Sequence, residues 1–196
     1  MVAFGGFDMS ELVARTGRHQ QRYKHGCRLV AGCIPYRYRR SREGDEAEFG
    51  KVVEVLMINS ASGPGFLFPK GGWENDETVE EAARREAIEE AGVKGDLVGH
   101  LGYYEFKSKT LQDEFSPEGL CKASMFALLV NEELEHWPEQ CTRQRKWLTI
   151  PQALQCCRHP WMQQALEEGF MKWHADKVES STVKEGDGNV TLPGPE

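Results

Sequence analysis

No run of apolar residues in this chain is long enough to cross a bilayer as a helix, so no membrane is expected among its partners. The first residues also lack the long apolar core of a secretory signal. Arg15, Arg18 and Arg22 stand among few acids there, as in a transit peptide, but Asp8 and Glu11 count against one. The expected location is cytoplasmic, extending to the nucleus, with a mitochondrial location as the alternative. Positive charge is outnumbered, with 24 Lys and Arg against 31 Asp and Glu. The net charge of −7 disfavours a general nucleic-acid binder, although a local basic patch stays open. Cys27, Cys33, Cys121, Cys141, Cys156 and Cys157 include no CxxC pair, and their spacing fits neither a zinc site nor a small disulfide framework. They read as reduced thiols. The six histidines show no HExxH spacing and read as bland. There is no GxSxG, no P-loop, no dinucleotide glycine fingerprint and no internal repeat.

What is present suits one α/β domain. The chain has 196 residues, enough for a single core with tails. Residues 1–25 are polar and read as a flexible arm, and residues 26–175 read as the folded domain. Residues 176–196 are rich in Gly, Ser, Thr, Pro and charge and read as a disordered tail. "CRLVAGCIPYRY" (Cys27–Tyr38) and "KVVEVLMINS" (Lys51–Ser60) read as two strands of a hairpin across a charged loop. "FLFP", "DLVGHLGYYEF", "KASMFALLV" and "RKWLTI" read as further strands, and Pro151 starts a brief helix. Two longer helices are expected, Glu77–Ala91 and Trp161–His174. The first has Thr78 and Glu81 at capping-box spacing and Gly92 at its exit. The second carries Trp161, Ala165, Leu166, Phe170 and Trp173 as one apolar stripe. This order predicts a mixed sheet with a helix on each face.

The segment "FPKGGWENDETVEEAARREAIEEAGV" crowds Glu77, Glu80, Glu81, Glu86, Glu89 and Glu90 together. At about 100° per residue, Glu86, Glu89 and Glu90 share one helix face. Glu77, Glu81, Arg85 and Glu89 form an i,i+4 row, in which Arg85 can bridge Glu81 and Glu89. Lys70, Gly71 and Gly72 read as a flexible turn whose backbone can approach a phosphate closely, with Lys70 adding charge. Two readings compete. One is a solvated acidic face. The other is a site for Mg²⁺ or Mn²⁺, hard cations that choose oxygen ligands beside a phosphate. The solvated face leaves the Gly-Gly entry, the arginine within the row and the glycine exit unexplained.

Gly71, Glu77, Arg85, Glu86, Glu89, Glu90, Gly92 and Val93 match the Nudix box, with Ala87 standing where a bulkier aliphatic residue is usual. The chain resembles the Nudix hydrolases over roughly residues 26–175. The resemblance implies an α/β fold, a Nudix α/β/α sandwich with a mixed β-sheet between helices. It also implies hydrolysis of phosphoanhydrides with Mg²⁺, or Mn²⁺ as substitute. Carried over, Glu86 and Glu90 are metal ligands, and Glu89 is a ligand or the base that activates water. Arg85 orients the carboxylates, and Glu77 fixes the loop–helix geometry.

"FPKGGWE" and "AARREAIEEAGVKG" resemble the branch that acts on diphosphoinositol polyphosphates and diadenosine polyphosphates, its plant relatives in particular. Such substrates need cations beyond the metal. Arg28, Lys70, Lys122, Arg143 and Arg145 are the candidate phosphate contacts, with Gly71 and Gly72 as backbone contacts; for each cation the plainer reading is a solvated surface charge. The implied partner is a small-molecule polyphosphate, with neither nucleic acid nor membrane, and a monomer is favoured. Two alternatives stay open: a general nucleoside diphosphate-X hydrolase of the ADP-ribose or NADH type, and a non-catalytic Nudix-fold sensor. No paired aromatic clamp requires adenine. Trp73 is expected to pack over the helix start, and Tyr103 and Tyr104 to serve strand packing. The loops Arg39–Gly50 and Lys107–Leu120 are where specificity is expected.

Overall fold

A computed structural model describes residues 13–15, 20–40, 51–60 and 63–185. The β-branched and aromatic runs form the strands, as their composition demands. In chain order these are β1 (Tyr23–Lys24), β2 (Cys27–Arg40), β3 (Lys51–Asn59), β4 (Phe66–Leu67), β5 (Lys70–Gly72), β6 (Val93–Lys107), β7 (Leu120–Glu133) and β8 (Arg145–Thr149). They build one sheet in the order β4-β3-β2-β7-β6, with β1 and β5 on β2 and β8 on β3. β2 and β3 are the expected antiparallel pair, with Tyr36 opposite Val55. β7 runs parallel to β2 and antiparallel to β6, so the sheet is mixed.

β2 shares one of its edges between two partners. β3 takes its second half and β5 pairs with Val30–Gly32. Lys70–Gly72 is therefore a paired strand and not the flexible turn read from its glycines. Its backbone is fixed by the ladder, which outweighs glycine's freedom.

Helix α1 (Val79–Ala91) starts at Thr78, whose side chain accepts from the Glu81 N–H while the Glu81 carboxylate accepts from the Thr78 N–H. Gly92 ends it at φ 61°, a left-handed conformation that favours glycine. Ala82, Ala83, Ala87 and Ala91 are buried and let α1 approach the sheet closely. Ala87, small where its motif usually carries bulk, is fully covered.

The connection after β8 forms α2 (Ile150–Cys156) around Pro151. Then α3 (Pro160–Gln164), a π-helical stretch (Ala165–Met171) and α4 (Lys172–Glu185) run on as one C-terminal helix. Its stripe is as expected: Trp161, Ala165, Leu166 and Phe170 are buried. Neighbouring strand residues point to opposite faces. Cys33 faces the α1 glutamates, which together with burial push its thiol up, whereas the Tyr36 ring meets Phe170 at 5.1 Å. A helix thus covers each face, completing the α/β sandwich.

Two boundaries differ from the sequence reading. The C-terminal helix continues to Glu185, beyond residue 176, because polar residues extend a helix already nucleated by its packed turns. The arm is not loose at its inner end: Gln21 is buried and bridges Glu74, and β1 pairs with β2. Residues 1–12, 16–19 and 186–196 lie outside the described residues, as does the 41–50 part of the expected specificity loop. Arg39 and Arg40 extend β2 instead.

Candidate active site

The helical period carries Glu86, Glu89 and Glu90 toward β5. Glu86 lies against Gly71, where an added Cβ would overlap its carboxylate and displace it. The Lys70 backbone N–H donates to Glu90 Oε2 at 2.8 Å. Arg143 reaches the other oxygen of Glu90 at 2.7 Å while its Nε donates to Glu139.

Arg85 is the hub. Its guanidinium pairs with both oxygens of Glu77 (2.8 and 2.9 Å) and donates to Glu86 Oε1 (2.7 Å), Glu89 Oε2 (3.2 Å) and the Gly72 carbonyl (2.8 Å). The expected bridge to Glu81 does not form, because Glu81 is turned to the Thr78 cap. Glu77 replaces it, and the fork of the guanidinium favours that two-point pairing. Glu77 also accepts from the Glu74 N–H, which ties the β5–α1 loop to the helix.

Glu86, Glu89 and Glu90 are each only 7% exposed. Burial, with Glu90 beside it, pushes Glu86 up to about 8 against the pull of Arg85. Burial raises Glu89 as well, opposed by Arg85, and raises Glu90, opposed by Lys70 and Arg143. Burial works to lower Arg85, but its bonds to Glu77 and the charges of Glu86 and Glu89 outweigh it and keep it cationic. As placed, the carboxylates turn to these donors, and among the described residues no three acids, histidines or cysteines converge on one point. The donor chemistry still suits a hard divalent cation: three buried carboxylates whose negative charge burial disfavours and a cation would offset.

A cavity of about 730 Å³ borders β5. It shares Lys70, Gly71 and Arg143 with the carboxylate cluster and adds Arg28 and Gly72 from the expected contacts. Arg28 Nε donates to Gln21 Oε1 at 2.7 Å. The end of β6 supplies Lys107, and the loop after it supplies Ser108 and Thr110. The α2–α3 connection supplies Arg158 and His159, and α3 supplies Trp161, none of which was singled out as a site residue. Arg158 donates to Ser60 Oγ at 2.7 Å and its guanidinium rests on Gly63. His159 is not bland, since it faces the cavity; burial, then Arg158 and Lys70, lower its pKa and favour the neutral ring. Phe106 and Trp161 stack 4.9 Å apart at 7° on the cavity wall.

Two expected contacts lie elsewhere. Arg145 donates to the Gly92 and Leu134 carbonyls and stacks on Trp137, so it caps the C-terminal end of α1. Lys122 stands opposite Glu105 in the β6–β7 ladder, 3.4 Å from its carboxylate and over the Tyr103 ring. Neither lines the cavity. Trp73 packs over the helix start as expected, donating to the Glu77 carbonyl beneath Arg22. Tyr104 is buried in strand packing, but Tyr103 is 65% exposed.

Comparison with known proteins agrees with this geometry. The "NUDIX domain" family matches residues 43–173. The chain is 69% identical over 170 residues to "Nudix hydrolase 16, mitochondrial" of Arabidopsis thaliana, covering 87% of this chain and 94% of that protein. It is 31% identical over 148 residues to "Diphosphoinositol polyphosphate phosphohydrolase 3-alpha" of Mus musculus, covering 73% and 78%. Among solved structures it is similar to a C. elegans Ap4A hydrolase binary complex at a TM-score of 0.53 and 20% identity, covering 76% and 98%, which speaks to the fold. With the Nudix box folded around a buried carboxylate cluster, and a family match spanning most of the domain, the chain belongs to the Nudix hydrolases.

Proposed function

We propose that this Nudix hydrolase is a Mg²⁺-dependent pyrophosphohydrolase that removes the terminal phosphate of diphosphoinositol polyphosphates and also cleaves long diadenosine polyphosphates. One observation carries the reading. Lys70, Gly71 and Arg143 each border the cationic cavity and also touch the buried carboxylates, so an anionic chain seated in the cavity meets the acidic cluster directly. Arg28, Lys107 and Arg158 surround the rest of that space with positive charge, as a densely phosphorylated ligand requires.

Glu86 and Glu90 would hold the divalent cation, with Glu89 as a further ligand or as the base. The cation, Mg²⁺ or Mn²⁺, supplies charge neutralisation at a phosphoryl oxygen. The protein does the rest. Lys70 and Arg143 orient the phosphates, and the β5 backbone keeps them close to the carboxylates. As the base, Glu89 would take the proton of the attacking water; as a ligand, it would share the cation with Glu86 and Glu90. Arg85, fixed by Glu77, holds Glu86 and Glu89 in register.

The stacked Phe106–Trp161 wall favours a second reading, in which a base or other ring rests on that wall and the substrate is a nucleoside diphosphate derivative. The relatives named as mitochondrial favour a mitochondrial location over the cytoplasmic one.

The test is phosphate release with Mg²⁺ on a diphosphoinositol polyphosphate and a diadenosine polyphosphate in parallel, with Glu90→Gln as control. Turnover of the inositol compound, reduced by at least ~10²-fold in the variant, is the expected result. Turnover of the dinucleotide alone moves the assignment to the second reading. Full activity of Glu90→Gln contradicts the carboxylate roles.

A further inference from the structure

The N-terminal segment reaches the site from outside the matched domain. The backbone N–H of Arg15 donates to Glu89 Oε1 at 3.2 Å, across 74 residues of sequence. The Arg15 guanidinium is pinned by Glu74 Oε2 at 2.7 Å and by Asp76 at 3.0 and 3.2 Å, on the turn that leads into α1.

Glu89 therefore has both oxygens engaged, Oε1 by Arg15 and Oε2 by Arg85. Each oxygen keeps a further lone pair, but a cation on either one would sit against the positive end of the donor already there, so cation binding favours release of one donor. Arg85 is poorly suited to let go: its side chain is 14% exposed and it also holds Glu77, Glu86 and Gly72. Arg15 is well suited. Its side chain is 41% exposed, Val13 nearby is 71% exposed, and of its two anchors Asp76 is an exposed partner of the weak kind while Glu74 is 16% exposed. Val13 and Arg15 also line a groove with Ile88 and Glu89, so the segment is seated on α1.

We propose that Val13–Arg15 is a displaceable strap that competes with the divalent cation for Glu89, so that cation binding and release of the strap are coupled. This rests on the metal role assigned to Glu89 above. The coupling runs both ways: whatever loosens the strap must tighten cation binding.

Two variants separate its parts. Arg15→Ala removes the side-chain anchor while keeping the N–H, and Arg15→Pro removes both, so the difference between them reports the backbone donor. Mn²⁺ binding to the full chain is measured by electron paramagnetic resonance, without substrate or turnover. Each variant is expected to bind Mn²⁺ ~2- to 10-fold more tightly, the range for losing one hydrogen bond of ordinary strength or an exposed ion pair. In the unsubstituted chain, trypsin is expected to cut after Arg15 faster with Mn²⁺ than with chelator. Unchanged or weaker Mn²⁺ binding in both variants, with a cutting rate that ignores the cation, overturns the strap while leaving the metal site standing. A chain that binds no Mn²⁺ with or without the substitutions overturns both the strap and the metal role of Glu89.

Discussion

On one face of the sheet, α1 buries Glu86, Glu89 and Glu90 among small alanines, and the turn before it buries Glu77. On the other, the C-terminal helix buries Trp161, Met162, Leu166 and Phe170 against strands that include Tyr36. The first arrangement places carboxylates where water cannot solvate them, which costs stability even with Arg85 and Arg143 as partners. The second removes large apolar surfaces from water and stabilises the fold. The difference separates two duties within one sandwich: the apolar face holds the sheet together, and the acidic face uses that rigidity to keep charge in place.

That comparison breaks if the faces respond alike to substitution. Phe170→Ala should lose ~3–5 kcal/mol of stability, the usual cost of a large aromatic in a core, while folded molecules keep their turnover. Chemical denaturation and rates per folded molecule check it. Gly71→Ala should do the reverse. Its Cβ would displace the Glu86 carboxylate, and a misplacement of that size costs ~10²-fold in turnover with little change in melting temperature. Loss of both properties in both variants would erase the distinction.

Two cations sharpen it further. Arg145→Ala should cost ~1–3 kcal/mol, because carbonyls at the end of α1 lose a charged donor, and should leave KM nearly unchanged. Lys122→Ala should have the smallest effect, with KM within about twofold, since its carboxylate contact is a surface ion pair. A rise of KM in Lys122→Ala would return that residue to the substrate.

Much of this was legible in the sequence. The Thr78 and Glu81 cap, the Gly92 exit and the stripe on the C-terminal helix are local signals, and the structure keeps them. So is the common face of Glu86, Glu89 and Glu90, which follows from helical period alone. What was not legible depends on contacts between distant segments. Lys70–Gly72 looks like a turn until β2 pairs with it. Arg158 and His159 reach the cavity because Cys157 bridges Phe66 across the sheet's edge, and no local pattern announces that pairing. Arg143 and Arg145 are two residues apart and looked equivalent. One enters the cavity and the other caps α1, because residues at i and i+2 need not follow the same path where a loop passes into β8.

The most direct test of the central claim uses the cost of buried charge. Burial holds Glu86 near 8, above its usual value of 4.5, so folding favours its protonated form. Its contribution is fully present below about pH 4.5 and is lost as pH rises through about 8. The measurement is the melting temperature of the unsubstituted chain and of Glu86→Gln between pH 5 and 8, in chelator and in Mg²⁺. In chelator the unsubstituted chain should lose stability as pH rises, the variant should lose less, and Mg²⁺ should restore the unsubstituted chain more than the variant. A melting temperature that ignores pH, or an equal response of both proteins to Mg²⁺, would contradict the account of the acidic face as a cation site.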